Sequence, residues 1–146
     1  MIRIAAWLMV LYATAHTVGA FVVEDAARHV PAWFSGELWG EDFSNMSPAG
    51  SALWLTLASF APPLFILGLL LLWLHRRRIT PPAFVAWMLG GLTMIDGVIN
   101  PFTPWPILLL ASVLLLIGIR RAKRENDRPH DSVTDASRLG HSREVG

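Results

Sequence analysis

The chain has 146 residues, 53% hydrophobic and 16% charged, with a mean hydropathy of +0.46 and a formal net charge of +1. Soluble domains carry about 25% charged residues, so the shortfall points to lipid rather than water. The absence of cysteine excludes disulfides, thiolate metal sites, iron–sulfur clusters and cysteine catalysis.

Four apolar segments follow one another: Ile4–Val23, Ala52–Leu74, Ala83–Ile99 and Pro104–Ile119. Their apolar positions are continuous, whereas a lipid-facing barrel strand alternates. In hydrocarbon the backbone must be bonded within its own segment, so helices are expected. The fold class that follows is all-α, an integral membrane bundle of four transmembrane helices over about residues 1–121. The third and fourth segments are short for a bilayer that takes about 17–25 residues, and borrow flanking residues such as Arg120 and Arg121.

The first segment starts beside Arg3 and carries Tyr12, Thr14, His16 and Thr17. Ala13-Thr14-Ala15 resembles a leader cleavage site, but apolar residues resume through Val18–Val23, so an uncleaved helix is the better reading. Ala15 and Gly19 form a small-x-x-x-small pair suited to close helix approach. The outer loop 24–51 holds Glu24, Asp25, Glu37, Glu41 and Asp42 against Arg28, with Trp33, Phe34 and Trp39 interleaved. That pattern predicts an interfacial segment resting on the membrane surface, with a lid over a cavity as the alternative. Asp25 and His29 stand four apart, but two ligands make no metal site.

The second segment carries Thr56 and Ser59, then Pro62 and Pro63, which cannot donate to the carbonyls of Ala58 and Ser59 and so predict a kink. It stops at His75-Arg76-Arg77-Arg78. The third contains Gly90, Gly91 and Gly97 as close-packing positions, with Thr93, Asp96 and Asn100 as polar ones. In the turn Asn100–Pro104, Thr103 is placed to cap the last helix, with Pro104 at its first position. The last segment carries Ser112 and ends in Arg120-Arg121-Ala122-Lys123-Arg124. Residues 122–146 turn polar and are expected to be a disordered cytoplasmic tail.

Arg3, Arg76–Arg78 and Arg120–Arg124 fall on one side of four crossings, and the acidic loop on the other. By the positive-inside rule both termini are cytoplasmic. Arg76, Arg77, Arg78, Arg120 and Arg121 are then lipid-headgroup contacts. Trp54, Trp73 and Trp105 read as an aromatic belt, leaving Trp7 and Trp87 as core candidates. Of the 12 basic residues only Lys123 is lysine, a bias that suits a GC-rich bacterial genome.

Polar groups in lipid need a partner, water or ligand, which makes them the candidate site. At about 1.5 Å per residue, His16 and Thr93 lie roughly 10 Å below the outer surface, Ser59 and Ser112 about 12 Å, and Asp96 about 6 Å. Tyr12 and His16 share one helix face, and Thr93, Asp96 and Asn100 share another. The candidate polar site is therefore His16, Asp96, Tyr12, Ser59, Thr93, Asn100 and Ser112, with His16 and Asp96 as a hydrogen-bonded or ionic pair. The bland alternative has His16 on a backbone carbonyl and Asp96 reaching outer water.

Ala15-His16-Thr17-Val18-Gly19, the Phe65–Gly68 stretch and the Asn100–Trp105 turn resemble a family of small bacterial four-helix membrane proteins of unknown function. The resemblance spans about residues 1–121 and implies a multi-pass protein of the bacterial cytoplasmic membrane, with no activity to carry over. A more distant likeness to four-helix proteins of the DoxX type is an analogy of fold. No cofactor, metal or nucleic acid is implied. The partners are the lipid bilayer and either a second copy of the chain or another membrane protein. The leading function is non-enzymatic binding of a membrane partner or small apolar ligand. The alternatives are a small transporter or channel subunit, or a membrane-embedded enzyme using His16 and Asp96 for proton transfer.

Overall fold

The computed structural model describes residues 1–127, all-α with no strand among them. The helices are α1 (Ile2–Val22), α2 (Val30–Ser35), α3 (Pro48–Leu55), α4 (Ala61–Arg76), α5 (Ala83–Ile99) and α6 (Trp105–Asp127). Short 3-10 turns at Ala26–His29 and Phe43–Asn45 interrupt the connection between α1 and α3. By length and composition α1 and α6 can cross a membrane; α4 and α5 are apolar but shorter.

The four long helices pack as an open row rather than a closed bundle. Helix α4 packs on α1, α1 on α6 and α6 on α5, while no Cα of α4 comes within 8 Å of one in α5. Small residues set these contacts, as in membrane helix pairs where close approach replaces a hydrophobic drive. The buried face of α1 is Ile2, Ala5, Ala6, Met9, Val10 and Ala13, and Gly68 of α4 sits against Ala6 and Val10. Gly118 of α6 lies on Ile2, Gly90 of α5 on Ser112, and Gly97 on the Trp105 ring. These contacts make α1 antiparallel to both α4 and α6. Arg3, Arg76–Arg78 and Arg120–Arg124 consequently share one end of the row, and the acidic loop the other.

Several expectations are corrected. The second segment is not one kinked helix from Ala52 to Leu74: α3 ends at Leu55 and α4 begins at Ala61. Pro62 and Pro63 fall in the first turn of α4, where missing N–H groups cost nothing, so they start a helix rather than bend one. Ser59 accepts from the Ala61 amide at 3.2 Å and donates to the Thr56 carbonyl at 2.8 Å, closing the break. Helix α3 leaves the line of α4 and packs on α2 and the 26–29 turn. At the other end α6 continues through 122–127, because Ala122, Lys123, Arg124 and Glu125 are good helix formers. The remainder of the expected tail, 128–146, lies outside the described residues.

Trp7 and Trp87 are 45% and 61% exposed and so are not core. Trp105 is instead a packing residue, since Gly97 leaves room for its ring. Gly19 and Gly91 have open space where a Cβ would stand, so the expected Ala15/Gly19 contact is not made. The residues a cleaved leader would remove supply Ile2, Ala5, Ala6, Met9 and Ala13 to the core.

The connection between α1 and α3 is tied down by side chains. Trp33 Nε1 donates to the Ala49 carbonyl at 2.9 Å, with its ring edge-on to Phe21. Trp39 and Phe34 point outward, 90% and 83% exposed. Asp25 takes a left-handed conformation after α1 and pairs with Arg28 at 3.4 Å, so the helical spacing that linked Asp25 to His29 is lost. Ser47 caps α3 by accepting from the Gly50 amide at 3.0 Å, and Glu41 Oε1 accepts from the Ser47 amide at 2.6 Å. Ser47→Ala is expected to cost about 1 kcal/mol in this segment. Faster hydrogen exchange at the Gly50 amide, with α4 and α6 unchanged, is the measurement that checks it.

Candidate functional site

A cavity of about 790 Å³ lies between α4 and α5. Its floor comes from α1 (Tyr12, Ala15, His16) and α6 (Ile107, Leu108). One wall is Phe60, Pro63, Leu64 and Leu67 of the α4 start; the other is Leu89, Leu92, Thr93 and Asp96 of α5. Thr103 and Pro104, in the turn between α5 and α6, line its end nearer the acidic loop. The lining is predominantly hydrocarbon, with a few polar groups near the end that Thr103 and Pro104 line. The volume falls in the range of about 300–1,000 Å³ typical of small-molecule sites.

Helical spacing brings the polar groups here. Tyr12 and His16 are one turn apart on α1, and Thr93 and Asp96 are three apart on α5. The break between α3 and α4 then matters. Leu55 ends α3, so its carbonyl is an acceptor left open by the helix end. His16 Nε2 lies 3.2 Å from that oxygen. A carbonyl only accepts, so Nε2 carries the proton. The break also turns Phe60 onto the His16 ring, with centroids 4.6 Å apart, and within 5.9 Å of Tyr12.

Asp96 finds its donor in the next turn. Thr103 Oγ1 donates to Asp96 Oδ2 at 2.9 Å and also lies 2.9 Å from the Asn100 carbonyl. Helix α6 begins at Trp105, one residue beyond the Pro104 expected at its first position, so Thr103 is not its N-cap and its hydroxyl is tied to Asp96 and Asn100 instead. Thr93 donates to the Leu89 carbonyl of its own helix at 2.7 Å, so its hydroxyl is already satisfied.

His16 and Asp96 therefore line one cleft but make no direct bond with each other. Each has a separate partner, Leu55 and Thr103 respectively. Three further candidates lie elsewhere. Ser59 faces a shallower hollow with Met46, Ser51, Trp54, Leu55 and Ala58. Ser112 is buried against Gly90 at the α5–α6 crossing. Asn100 ends α5, contributing its backbone to Asp96 and Thr103. Sequence reasoning missed Phe60 and the Thr103–Asp96 tie. Phe60 carried no signal until the helix break was known, whereas the seven-residue return from Asp96 to Thr103 was readable from the tight turn.

The arginines sit at the opposite end. Arg76, Arg77, Arg78, Arg120 and Arg121 are all exposed. Arg77 lies over the Trp73 ring, 5.6 Å from its centroid, a cation–π contact that keeps the guanidinium near an indole at the helix end. Among the described residues no group of three or more His, Asp or Glu could hold a metal ion.

Neither the curated proteins nor the solved structures contain a match to this chain. Residues 1–123, which include every helix that builds the cleft, match the family of unknown function DUF6463, and the chain belongs to that family.

Proposed function

We propose that the protein crosses the bacterial cytoplasmic membrane four times, with both termini on the cytoplasmic side. We further propose that it binds a small, largely apolar molecule in the cleft between α4 and α5. The carrying observation is the cleft itself, a cavity of about 790 Å³ with an apolar lining, between α4 and α5, whose Cα atoms stay more than 8 Å apart. A molecule dissolved in the lipid can enter sideways through that gap without crossing water.

The four-span reading is supported by the outward faces of α4 and α5. Ile66, Leu69, Leu70 and Trp73 of α4 are exposed, as are Phe84, Trp87, Met88, Ile95 and Val98 of α5. Apolar patches of that extent are foreign to a soluble monomer. Lipid tails are their natural solvent, and the basic end lies opposite the acidic loop as the positive-inside rule requires. The four-helix architecture is then of the general kind seen in DoxX-type proteins, by analogy alone. Binding is favoured over proton-transfer catalysis because His16 and Asp96 are each held by other partners rather than by one another.

The cysteine-free chain gives a clean test. Single cysteines at Ser44 and Phe102 are expected to react with an impermeant maleimide on intact cells, and one at Ile79 only after permeabilisation. The reverse pattern overturns the orientation. For binding, Leu92→Cys carrying a trifluoroethylthio label reports from the cleft rim, and Leu11→Cys from the lipid-facing side of α1. Adding dodecanol to the full chain in phosphatidylcholine nanodiscs is expected to shift the ¹⁹F signal saturably at 92 and only linearly at 11. A linear response at both positions removes the cleft as a site.

A further inference from the structure

We propose that the cleft selects lipophilic cations, taking the hydrocarbon tail between α4 and α5 and the positive head between Asp96 and the aromatic cluster of Tyr12, His16 and Phe60. This rests on the binding reading above and adds the chemical class of the ligand.

Three features converge on a positive head. Asp96 is an exposed carboxylate at the outer end of an otherwise hydrocarbon cleft, and no cation among the described residues forms an ion pair with it. An ionisable group at such a position marks a functional site more often than a structural one. Thr103 supplies one hydrogen bond to Oδ2 but no charge, so the site still lacks a counter-ion. The second feature is the ring cluster that Phe60 of the facing wall forms with Tyr12 and His16 of the floor. Phe60 stands 4.6 Å from His16 and 5.9 Å from Tyr12, and all three line the cleft. Aromatic faces attract ammonium heads through the ring quadrupole, most strongly where water is excluded. A carboxylate on one wall, with rings on the floor and the other wall, forms a recognition pattern for alkylammonium groups, including those with no N–H to donate.

The third feature is the field outside. The connection between α1 and α3, at the same end of the row as Asp96, carries Glu24, Asp25, Glu37, Glu41 and Asp42, and its Arg28 is paired with Asp25. The remaining basic residues among those described stand at the far end of the row. A cation approaching the outer surface is drawn toward the cleft mouth, and an anion is turned away.

The test uses the full chain in phosphatidylcholine nanodiscs with the label at Leu92→Cys, comparing dodecyltrimethylammonium with uncharged dodecanol. Leu11→Cys corrects for partition into lipid. The cation is expected to half-saturate the cleft signal at a concentration at least ten-fold lower than the alcohol. Asp96→Asn keeps an oxygen for the Thr103 hydroxyl but removes the charge, so the ratio of the two half-saturation concentrations should fall to about one. Phe60→Leu leaves the carboxylate and should reduce the preference about three-fold. Equal half-saturation by both probes overturns charge selection while leaving the cleft as a binding site, and so does a wild-type preference persisting in either variant. Absence of saturation by both probes overturns the binding reading itself.

Discussion

Replacing Gly68 by alanine is expected to destabilise the protein by about 1–3 kcal/mol, while the same change at Gly19 is neutral or mildly stabilising. Both glycines lie in helices, where alanine is ordinarily preferred by roughly 0.5–1 kcal/mol. Their surroundings reverse the sign. A Cβ on Gly68 would stand 2.7 Å from Val10 Cγ2, 3.0 Å from the Ala6 carbonyl oxygen and 3.2 Å from the Val10 amide nitrogen. The valine methyl can turn aside, but the two backbone atoms belong to α1 and cannot move without moving the helix. At Gly19 a Cβ meets nothing within 4 Å. Unfolding in mixed micelles with increasing sodium dodecyl sulfate measures both. Adding Val10→Ala to Gly68→Ala should restore only part of the loss, because the backbone contacts remain. Full tolerance of Gly68→Ala would mean that the α1–α4 crossing is looser than the packing described here. The consequence reaches the cleft, since α4 carries Phe60, Pro63, Leu64 and Leu67 as one of its walls.

What could be read from sequence divides along a physical line. Apolar continuity and charge segregation are one-dimensional signals, and they located α1, α5 and most of α6 within a few residues. The face shared by Tyr12 and His16, and that shared by Thr93 and Asp96, follow from helical periodicity within one element. Depth alone was a weaker guide. Counting residues puts Ser59 and Ser112 near the level of His16, yet one closes the α3–α4 break and the other packs on Gly90. Two residues at one depth meet only if their helices turn them toward each other, and rotation of one helix against another is a tertiary property. The break at Thr56–Phe60 is the other lesson. Pro62-Pro63 is compatible with a kink inside a helix or with a helix start, and local sequence does not choose between them. Thr56 is fully buried and donates back to Ala52, and with the Ser59 bonds it stabilises the start reading. From that choice follow the open Leu55 carbonyl, the His16 tie and the position of Phe60.

Ala15→Trp is expected to abolish saturable binding in the cleft, weakening it by at least ten-fold, or about 1.4 kcal/mol, without unfolding the protein. Ala15 lies on the cleft floor beside His16, and its side chain is exposed to that space rather than packed in the core. An indole there enters empty volume. It displaces no buried neighbour, so the strain that accompanies overpacking of a core does not arise. The intrinsic helix preference lost from alanine to tryptophan is under about 0.7 kcal/mol. Leu11→Trp is the matched control: Leu11 is one turn away on α1, 60% exposed and not part of the cleft. Both variants add an indole to the same helix, so shared effects on insertion or lipid anchoring cancel between them. The ¹⁹F label at position 92 should lose its saturable response to dodecanol and to dodecyltrimethylammonium in Ala15→Trp and keep both in Leu11→Trp. Binding that survives Ala15→Trp unchanged would place the ligand outside the gap between α4 and α5, and with it the role assigned here to His16, Phe60 and Asp96.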